Sequence, residues 1–244
     1  MFKLNIEKLK PEYRHVQLKS APLFDEFGSD SHADQKLIGG NPSGIVNMNT
    51  VRHQWAVTIY NKMWSQFWMA QNADMSSDKI SVSTLTEIEL EAHYDTIGFV
   101  AFMDSFQINN LPNIFEYITS PMVKSCGSVQ EAFETIHEQA YQFSIEATVP
   151  PNMRDAIYDR WKDNPLLKHR IQTMTSIADN FKENPTLENF YIVLVMNYIL
   201  EGFYFYQGFN YYEQLAHRGK LLGTSKQIEY IKRDELVHMG LFVN

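Results

Sequence analysis

The 244-residue sequence contains only one cysteine, Cys126. A single thiol excludes an internal disulfide and a cysteine-rich zinc site, and it fits the reducing cytoplasm, where we expect the protein to act. Basic residues are also scarce, because 21 Lys and Arg against 29 Asp and Glu give a net charge of −8. A nucleic-acid-binding protein needs a basic surplus on at least one face, so we expect no nucleic-acid partner.

Glycine and proline are sparse as well, with 11 and 9 residues. Their scarcity favours a predominantly helical chain over a turn-rich β-sandwich. The clusters that do occur, at 28–31 and 39–44, lie near the N-terminus. We therefore predict an irregular N-terminal arm over 1–50 and a single all-α domain over 51–244.

Local signals place several helices within this domain. Thr86 and Glu89 have the spacing of a capping box, and Pro121 is well placed in the first turn of a helix. A further helix is predicted over about 187–218, and the last one is predicted to start at 223–225.

No secretory signal is expected, because no apolar run follows the first charged residues. The longest apolar stretch, 191–209, has the length of a membrane span but contains Asn197, Glu201 and Gln207. A carboxylate in the middle of a span is costly in lipid, so we predict a buried helix with a functional carboxylate and no membrane partner.

Two predicted helices contain the pattern Glu-x-x-His, at Glu134/His137 and Glu235/His238. Residues three apart lie on one face of a helix, so each pair can direct a carboxylate and an imidazole to one metal ion. The pattern alone is weak, and a third copy at Glu12/His15 lies in the arm, where we interpret it as a chance occurrence.

Each of the two inner pairs has a companion acid on the preceding long helix, Asp104 before Glu134 and Glu201 before Glu235. Any one of these acids alone could be a core polar residue or lie at a solvated helix edge. Four carboxylates and two imidazoles on four helices match the dinuclear site of a ferritin-like bundle, and such ligands favour iron or manganese.

Tyr141 follows His137 by four residues and therefore lies on the same helix face. Such a tyrosine is commonly core packing, but beside an oxidising metal pair it is a candidate one-electron donor. The aromatic residues at 203–209 allow two interpretations, plain core packing or exclusion of water from a radical.

The sequence resembles the radical-generating small subunit of class I ribonucleotide reductase over about residues 40–244. The segments that carry the resemblance are 102–107, 134–141, 200–206 and 233–238. The resemblance implies a ferritin-like four-helix-bundle core with additional helices. It also implies that the metal ligands are Asp104, Glu134, His137, Glu201, Glu235 and His238, with Glu134 and Glu235 as bridges.

The resemblance further implies Tyr141 as the radical tyrosine and Phe205, Phe209 and Ile231 as the apolar pocket around it. Trp68 and Asp234 match the internal path that leads from the His137 metal towards the large subunit. Two iron ions, two manganese ions or a mixed pair would activate oxygen and generate the tyrosyl radical. A separate large subunit would use this radical to reduce ribonucleotides, and the small subunit would form homodimers.

Two departures from the family pattern stand out. Glu138 follows His137 where family members usually have a small residue, and the sequence stops six residues after His238, where family members continue. We therefore expect an N-terminal part of a divided small subunit, completed by a second polypeptide that supplies the remaining helices and tail. An artificially shortened chain is the simpler alternative.

Two other functions remain open at this point. A ferritin-like oxidase would share the metal site, although Trp68, Tyr141 and Asp234 at family-like positions argue against it. A non-catalytic assembly fragment of a split subunit would bind its partners without forming a radical.

Overall fold

Long helices joined by short connections make up most of the chain. The computed structural model describes residues 6–8, 11 and 16–244, so the third Glu-x-x-His copy at 12–15 lies outside the described residues. Within the described ranges there is no β-strand, and one isolated antiparallel bridge joins Ile38 to Ile118. The predicted all-α class is confirmed.

The α-helices are α1 (Gln54–Ser65), α2 (Asp78–Ser81), α3 (Glu87–Phe115), α4 (Pro121–Thr148), α5 (Arg154–Ile157), α6 (Pro165–Glu183), α7 (Leu187–Ile199), α8 (Phe205–Ala216) and α9 (Leu222–Val243). Short 3₁₀ turns lie at Ile6–Lys8, Ala70–Asn72, Val82–Thr84, Pro151–Met153 and Arg160–Lys162.

The starts of α3 and α4 are those that the sequence predicts. Thr86 Oγ1 accepts a hydrogen bond from the Glu89 N–H at 3.3 Å, and the Glu89 carboxylate accepts one from the Thr86 N–H at 2.8 Å. This reciprocal pair is the predicted capping box, and it satisfies two N–H groups that a helix start leaves free. Pro121 occupies the first turn of α4, where its missing N–H costs nothing.

The apolar stretch 191–209 is not one regular helix. A π-helical turn, Leu200–Tyr204, separates α7 from α8, and it carries Glu201. At Gly202 this turn approaches α9 so closely that an added Cβ would collide with Met239 Sδ. In the described part of the chain, no helix is both long and apolar enough to cross a membrane.

The bundle at the centre of the fold consists of α3, α4, α7–α8 and α9. Helix α4 packs against α3 and α9, while α8 packs against α9 and α3. Fully buried apolar side chains fill the space between them, among them Val100, Phe133, Phe205 and Ile231. Four helical segments, with α7 and α8 counted as one, therefore face one common interior.

Residues 16–53 contain no helix, and part of this segment packs over the turn between α3 and α4. The Ala21 N–H donates to the Glu116 carbonyl at 2.9 Å, and the Thr119 N–H donates to the Leu37 carbonyl at 2.7 Å. These backbone bonds fix the irregular arm on the bundle. The domain boundary at residue 50 stays a prediction.

Helix α9 is capped by a side chain that lies far away in the sequence. The fully buried Asp78 carboxylate accepts hydrogen bonds from the N–H groups of Gly223 and Thr224, at 2.8 and 2.7 Å, and from Thr224 Oγ1 at 2.7 Å. A carboxylate at a helix N-terminus satisfies free N–H groups and complements the helix dipole. Asp78 therefore fixes the start of α9.

We predict that Asp78→Ala lowers the free energy of unfolding by about 1–3 kcal/mol, because buried N–H groups lose their acceptor. Chemical denaturation followed by circular dichroism measures this change. The matched control is Asp74→Ala, which removes an exposed carboxylate that accepts only from nearby Ser76. Equal losses in the two variants would contradict the capping role.

Candidate metal centre

The six predicted metal ligands lie together in the interior of the bundle, and all of them are fully buried. They form two groups whose potential ligand atoms lie within 4.8 Å of one another. The first group is Asp104, Glu134, His137 and Glu235, and the second is Glu134, Glu201, Glu235 and His238. The structure thus brings together every residue of the predicted set.

Glu134 and Glu235 belong to both groups, and each directs one oxygen to each histidine. Glu134 Oε2 lies 3.3 Å from His137 Nδ1, and Glu134 Oε1 lies 3.4 Å from His238 Nδ1. Glu235 Oε1 lies 3.4 Å from His137 Nδ1, and Glu235 Oε2 lies 2.9 Å from His238 Nδ1. Glu134 and Glu235 therefore stay the candidates for bridging carboxylates.

Burial and mutual charge shift the acidities in this cluster. Burial, and then the charge of neighbouring carboxylates, raises the pKa of Asp104 and of Glu235 well above the ordinary value. Burial opposes ionisation of Glu201 too, but the neighbouring side chains of Glu235 and His238 hold its pKa below the ordinary value.

The pKa values of the two imidazoles are raised, whereas burial alone lowers the pKa of a histidine. Burial disfavours their cations, but the adjacent carboxylates outweigh it and raise the pKa of His137 and of His238 well above the ordinary value. The adjacent carboxylates, and not burial, therefore set the direction of the pKa shift at both imidazoles.

Many polar atoms at the centre have no hydrogen-bond partner within the described part of the chain. They are Asp104 Oδ1 and Oδ2, Glu134 Oε2, His137 Nδ1, Glu201 Oε2, Glu235 Oε1 and His238 Nε2. Buried polar atoms without partners are costly, and a pair of divalent cations would satisfy all of these except His238 Nε2, because Nδ1 is the nitrogen of that ring that faces the carboxylates. Oxygen-rich ligands with some imidazole fit iron or manganese, so this donor set fits the implied dinuclear group.

A belt of side-chain amides orients Glu201. Gln107 Nε2 donates a short hydrogen bond to Glu201 Oε1, and Gln130 Nε2 and Asn197 Nδ2 donate to the same oxygen at 3.0 and 3.4 Å. Asn110 Nδ2 supports the belt by donating to Asn197 Oδ1 at 3.1 Å. These four buried amides are not among the site residues predicted from the sequence.

Helical spacing could have identified the belt. Gln130 precedes Glu134 by four residues, and Asn197 precedes Glu201 by four. Residues at this spacing lie on one face of a helix, so buried amides at these positions face the acids.

Tyr141 lies in the same interior, one turn after His137 on α4, and only 1% of it is exposed. Its hydroxyl has no hydrogen-bond partner among the described residues. Burial, and then the charges of Asp104 and Glu235, raises the pKa of Tyr141 well above its ordinary value. The phenol therefore stays protonated near neutral pH, and one-electron oxidation of it would also have to release the proton.

Trp68 and Asp234 form a hydrogen-bonded chain to the site. Trp68 Nε1 donates to Asp234 Oδ2 at 2.7 Å, and the same oxygen lies 3.4 Å from His137 Nε2. The rings of Trp68 and His137 are stacked with centroids 6.3 Å apart. A carboxylate behind a histidine fixes the orientation of its ring, as in many metal sites.

The remaining predicted residues are buried, but their roles stay predictions. Phe205, Phe209 and Ile231 are fully buried in the same core as Tyr141, and the rings of Phe205 and Phe209 stack at 5.7 Å. The unusual Glu138 is half-buried and accepts a hydrogen bond from Ser105 Oγ at 2.6 Å. Glu138 belongs to neither ligand group.

Comparisons with known proteins agree with this geometry. The family model described as "Ribonucleotide reductase, small chain" matches residues 45–244. The chain is 32% identical over 92% of its length to ribonucleoside-diphosphate reductase subunit beta of Treponema pallidum, covering 64% of that relative. It is 35% identical over 93% of its length to the subunit beta of Halalkalibacterium halodurans, covering 66% of it. The chain thus spans slightly less than two thirds of these relatives.

The fold is also that of a solved relative. The ribonucleotide reductase R2 subunit from Clostridium botulinum superimposes with a TM-score of 0.88 at 35% identity, and the match covers 92% of this chain and 70% of the other. The predicted ferritin-like fold is confirmed by this likeness.

We predict that metal binding tightens as the pH rises from about 6 to about 8, because bound protons compete with the cation for the same ligand atoms. The raised pKa values of Asp104, Glu235 and both histidines set this direction. Anaerobic titration with Mn(II), followed by the EPR signal of free Mn(II), measures the stoichiometry and the affinity.

The matched variants are Glu134→Gln and Glu138→Gln. Glu134 belongs to both ligand groups, so its amide variant should lose both ions, whereas the Glu138 variant should retain them. Affinity that does not change with pH, or equal binding by the two variants, would argue against this centre.

Proposed function

Because the chain belongs to the ribonucleotide reductase small-chain family, we propose that it is the radical-generating subunit of a class I ribonucleotide reductase. The observation that carries this proposal is the pair of ligand groups sharing Glu134 and Glu235, with Tyr141 one turn away on α4. In this proposal the small subunit stores an oxidising equivalent, and a large subunit uses it to reduce ribonucleoside diphosphates.

The six ligands would hold two ions of iron or manganese, or one of each. When bound in reduced form, such ions react with oxygen and supply the one-electron oxidant that side chains lack. The protein positions this chemistry: Glu134 and Glu235 tie the two ligand groups together, and the amide belt fixes Glu201. Burial of the whole centre excludes water and external reductants.

Tyr141 would be the residue that is oxidised. It is buried, it lies on the same helix as His137, and its unpartnered hydroxyl leaves a neutral radical without a hydrogen-bond donor from the described residues. The buried aromatic rings of Phe205 and Phe209 belong to the same core, which supports an apolar environment for the radical.

Trp68 and Asp234 would form the path by which the large subunit draws on the stored radical. Their hydrogen bond continues from Asp234 to His137, so the path reaches a metal ligand without a gap. An oxidase that acts alone needs no such path, and this favours the reductase subunit over a ferritin-like oxidase.

We predict a tyrosyl EPR signal after apo-protein is loaded with Fe(II), or with Mn(II), and exposed to oxygen, and we predict that Tyr141→Phe abolishes it. The matched control is Tyr212→Phe, because Tyr212 is also fully buried but hydrogen-bonds to His93 at 3.0 Å. The control should keep the signal. A signal that survives in Tyr141→Phe and disappears in Tyr212→Phe would place the radical on Tyr212 and contradict the assignment to Tyr141.

The partners we propose are the large subunit, a second copy of this chain and a further polypeptide that completes the subunit. An apolar groove of about 540 Å³ supports the last of these. Its lining includes Ile114 and Phe115 of α3, Phe190 and Leu194 of α7, and Leu241 of α9. A groove of this kind fits the apolar face of a helix.

A cytoplasmic location also stays a proposal.

We predict that this chain and its cognate large subunit do not reduce ribonucleoside diphosphates until the further polypeptide is added. The assay measures deoxynucleotide formation with both subunits purified. Turnover by the two proteins alone would remove the need for a third chain, although it would leave the radical-generating role intact.

A further inference from the structure

Trp68 contacts two rings, and only one of them reaches the surface. Its indole is 5% exposed and stacks on the fully buried His137. It also contacts Tyr230 of α9, which is half-buried, with ring centroids 5.0 Å apart and planes inclined by 38°. Tyr230 therefore lies between the innermost part of the proposed path and solvent.

Two cations hold Tyr230 in this position. Lys226 Nζ lies 4.7 Å from the centroid of the phenol ring, and Arg233 Cζ lies 5.4 Å from it. These residues lie four before and three after Tyr230, so all three share one face of α9. Each contact is a cation–π interaction, which is stabilising but modest at a partly exposed site.

Arg233 also connects this face of α9 to the segment that carries Trp68. Its guanidinium donates a short hydrogen bond to the Gln66 carbonyl, two residues before Trp68, and approaches Asp234 Oδ1 at 3.3 Å. The same group thus contacts the phenol, the backbone beside Trp68 and the carboxylate that accepts from Trp68. The arrangement is a connected unit around the indole.

We infer that Tyr230 is a positioning residue, which holds Trp68 in its hydrogen bond to Asp234 and separates the indole from water. This inference rests on the proposed function, in which Trp68 is oxidised on the radical path. An oxidised indole in contact with water would be lost to side reactions. The flanking cations also disfavour oxidation of Tyr230 itself, because a positive charge over a ring stabilises the neutral ring relative to the oxidised one. An oxidising equivalent that passes through Trp68 is therefore not diverted onto Tyr230.

The test compares Tyr230→Leu with Tyr230→Phe, which keeps the ring and both cation–π contacts. In metal-free protein, acrylamide quenching of the Trp68 fluorescence should rise severalfold in Tyr230→Leu and stay near the parent value in Tyr230→Phe. The Trp68 contribution is obtained by subtracting the emission of the corresponding Trp68→Phe protein, because the sequence contains 4 tryptophans. Tyr158→Leu, which removes another partly exposed tyrosine, should change nothing.

A second measurement follows the function. In protein treated with Fe(II) and oxygen, the tyrosyl EPR signal should decay severalfold faster in Tyr230→Leu than in the parent, and Tyr230→Phe should restore the slow decay. Unchanged quenching of Trp68 in a folded Tyr230→Leu protein would overturn the inference. Absence of a radical in every protein would instead count against the proposed function, and the quenching result would still decide the role of Tyr230.

Discussion

The burial of four carboxylates and two imidazoles at one point is the constraint on which the rest of this structure depends. Ionised groups in an apolar interior are stable only when they are paired, hydrogen-bonded or bound to a cation. Glu201 has amide donors, but Asp104 has no hydrogen-bond partner among the described residues. The polypeptide therefore leaves unsatisfied lone pairs at its centre, and a pair of divalent ions is the chemistry that satisfies them.

This constraint explains the use of long, rigid helices. On α4, a spacing of three and then four residues places Glu134, His137 and Tyr141 on one face, so one helix supplies two ligands and the candidate radical site. On α9, Glu235 and His238 repeat the first spacing. Asp234, one residue before Glu235, contacts both His137 and Trp68. Helix register thus fixes the metal centre and its connection to Trp68 together.

The surroundings of the centre divide into a polar and an aromatic part with different tasks. The amides fix the orientation of the Glu201 carboxylate. A metal site with a defined geometry needs ligands that do not rotate. Buried aromatic rings of the same core would exclude water from the residues proposed to carry the radical. Tyr230 belongs to this second part, at the place where the buried path approaches the surface.

The helical class could be predicted from the scarcity of glycine and proline, and the capping box at Thr86 and the two Glu-x-x-His pairs from spacing along single helices. Asp104 and Glu201 could be predicted as companion acids on the helices that precede these pairs. The amide belt was accessible by the same rule but has no motif of its own. The π turn at Glu201, the capping of α9 by Asp78 and the contact of Tyr230 with Trp68 were decided only by tertiary structure. Each depends on how close two helices come, or on contacts between residues far apart in sequence, and local periodicity carries no information about either.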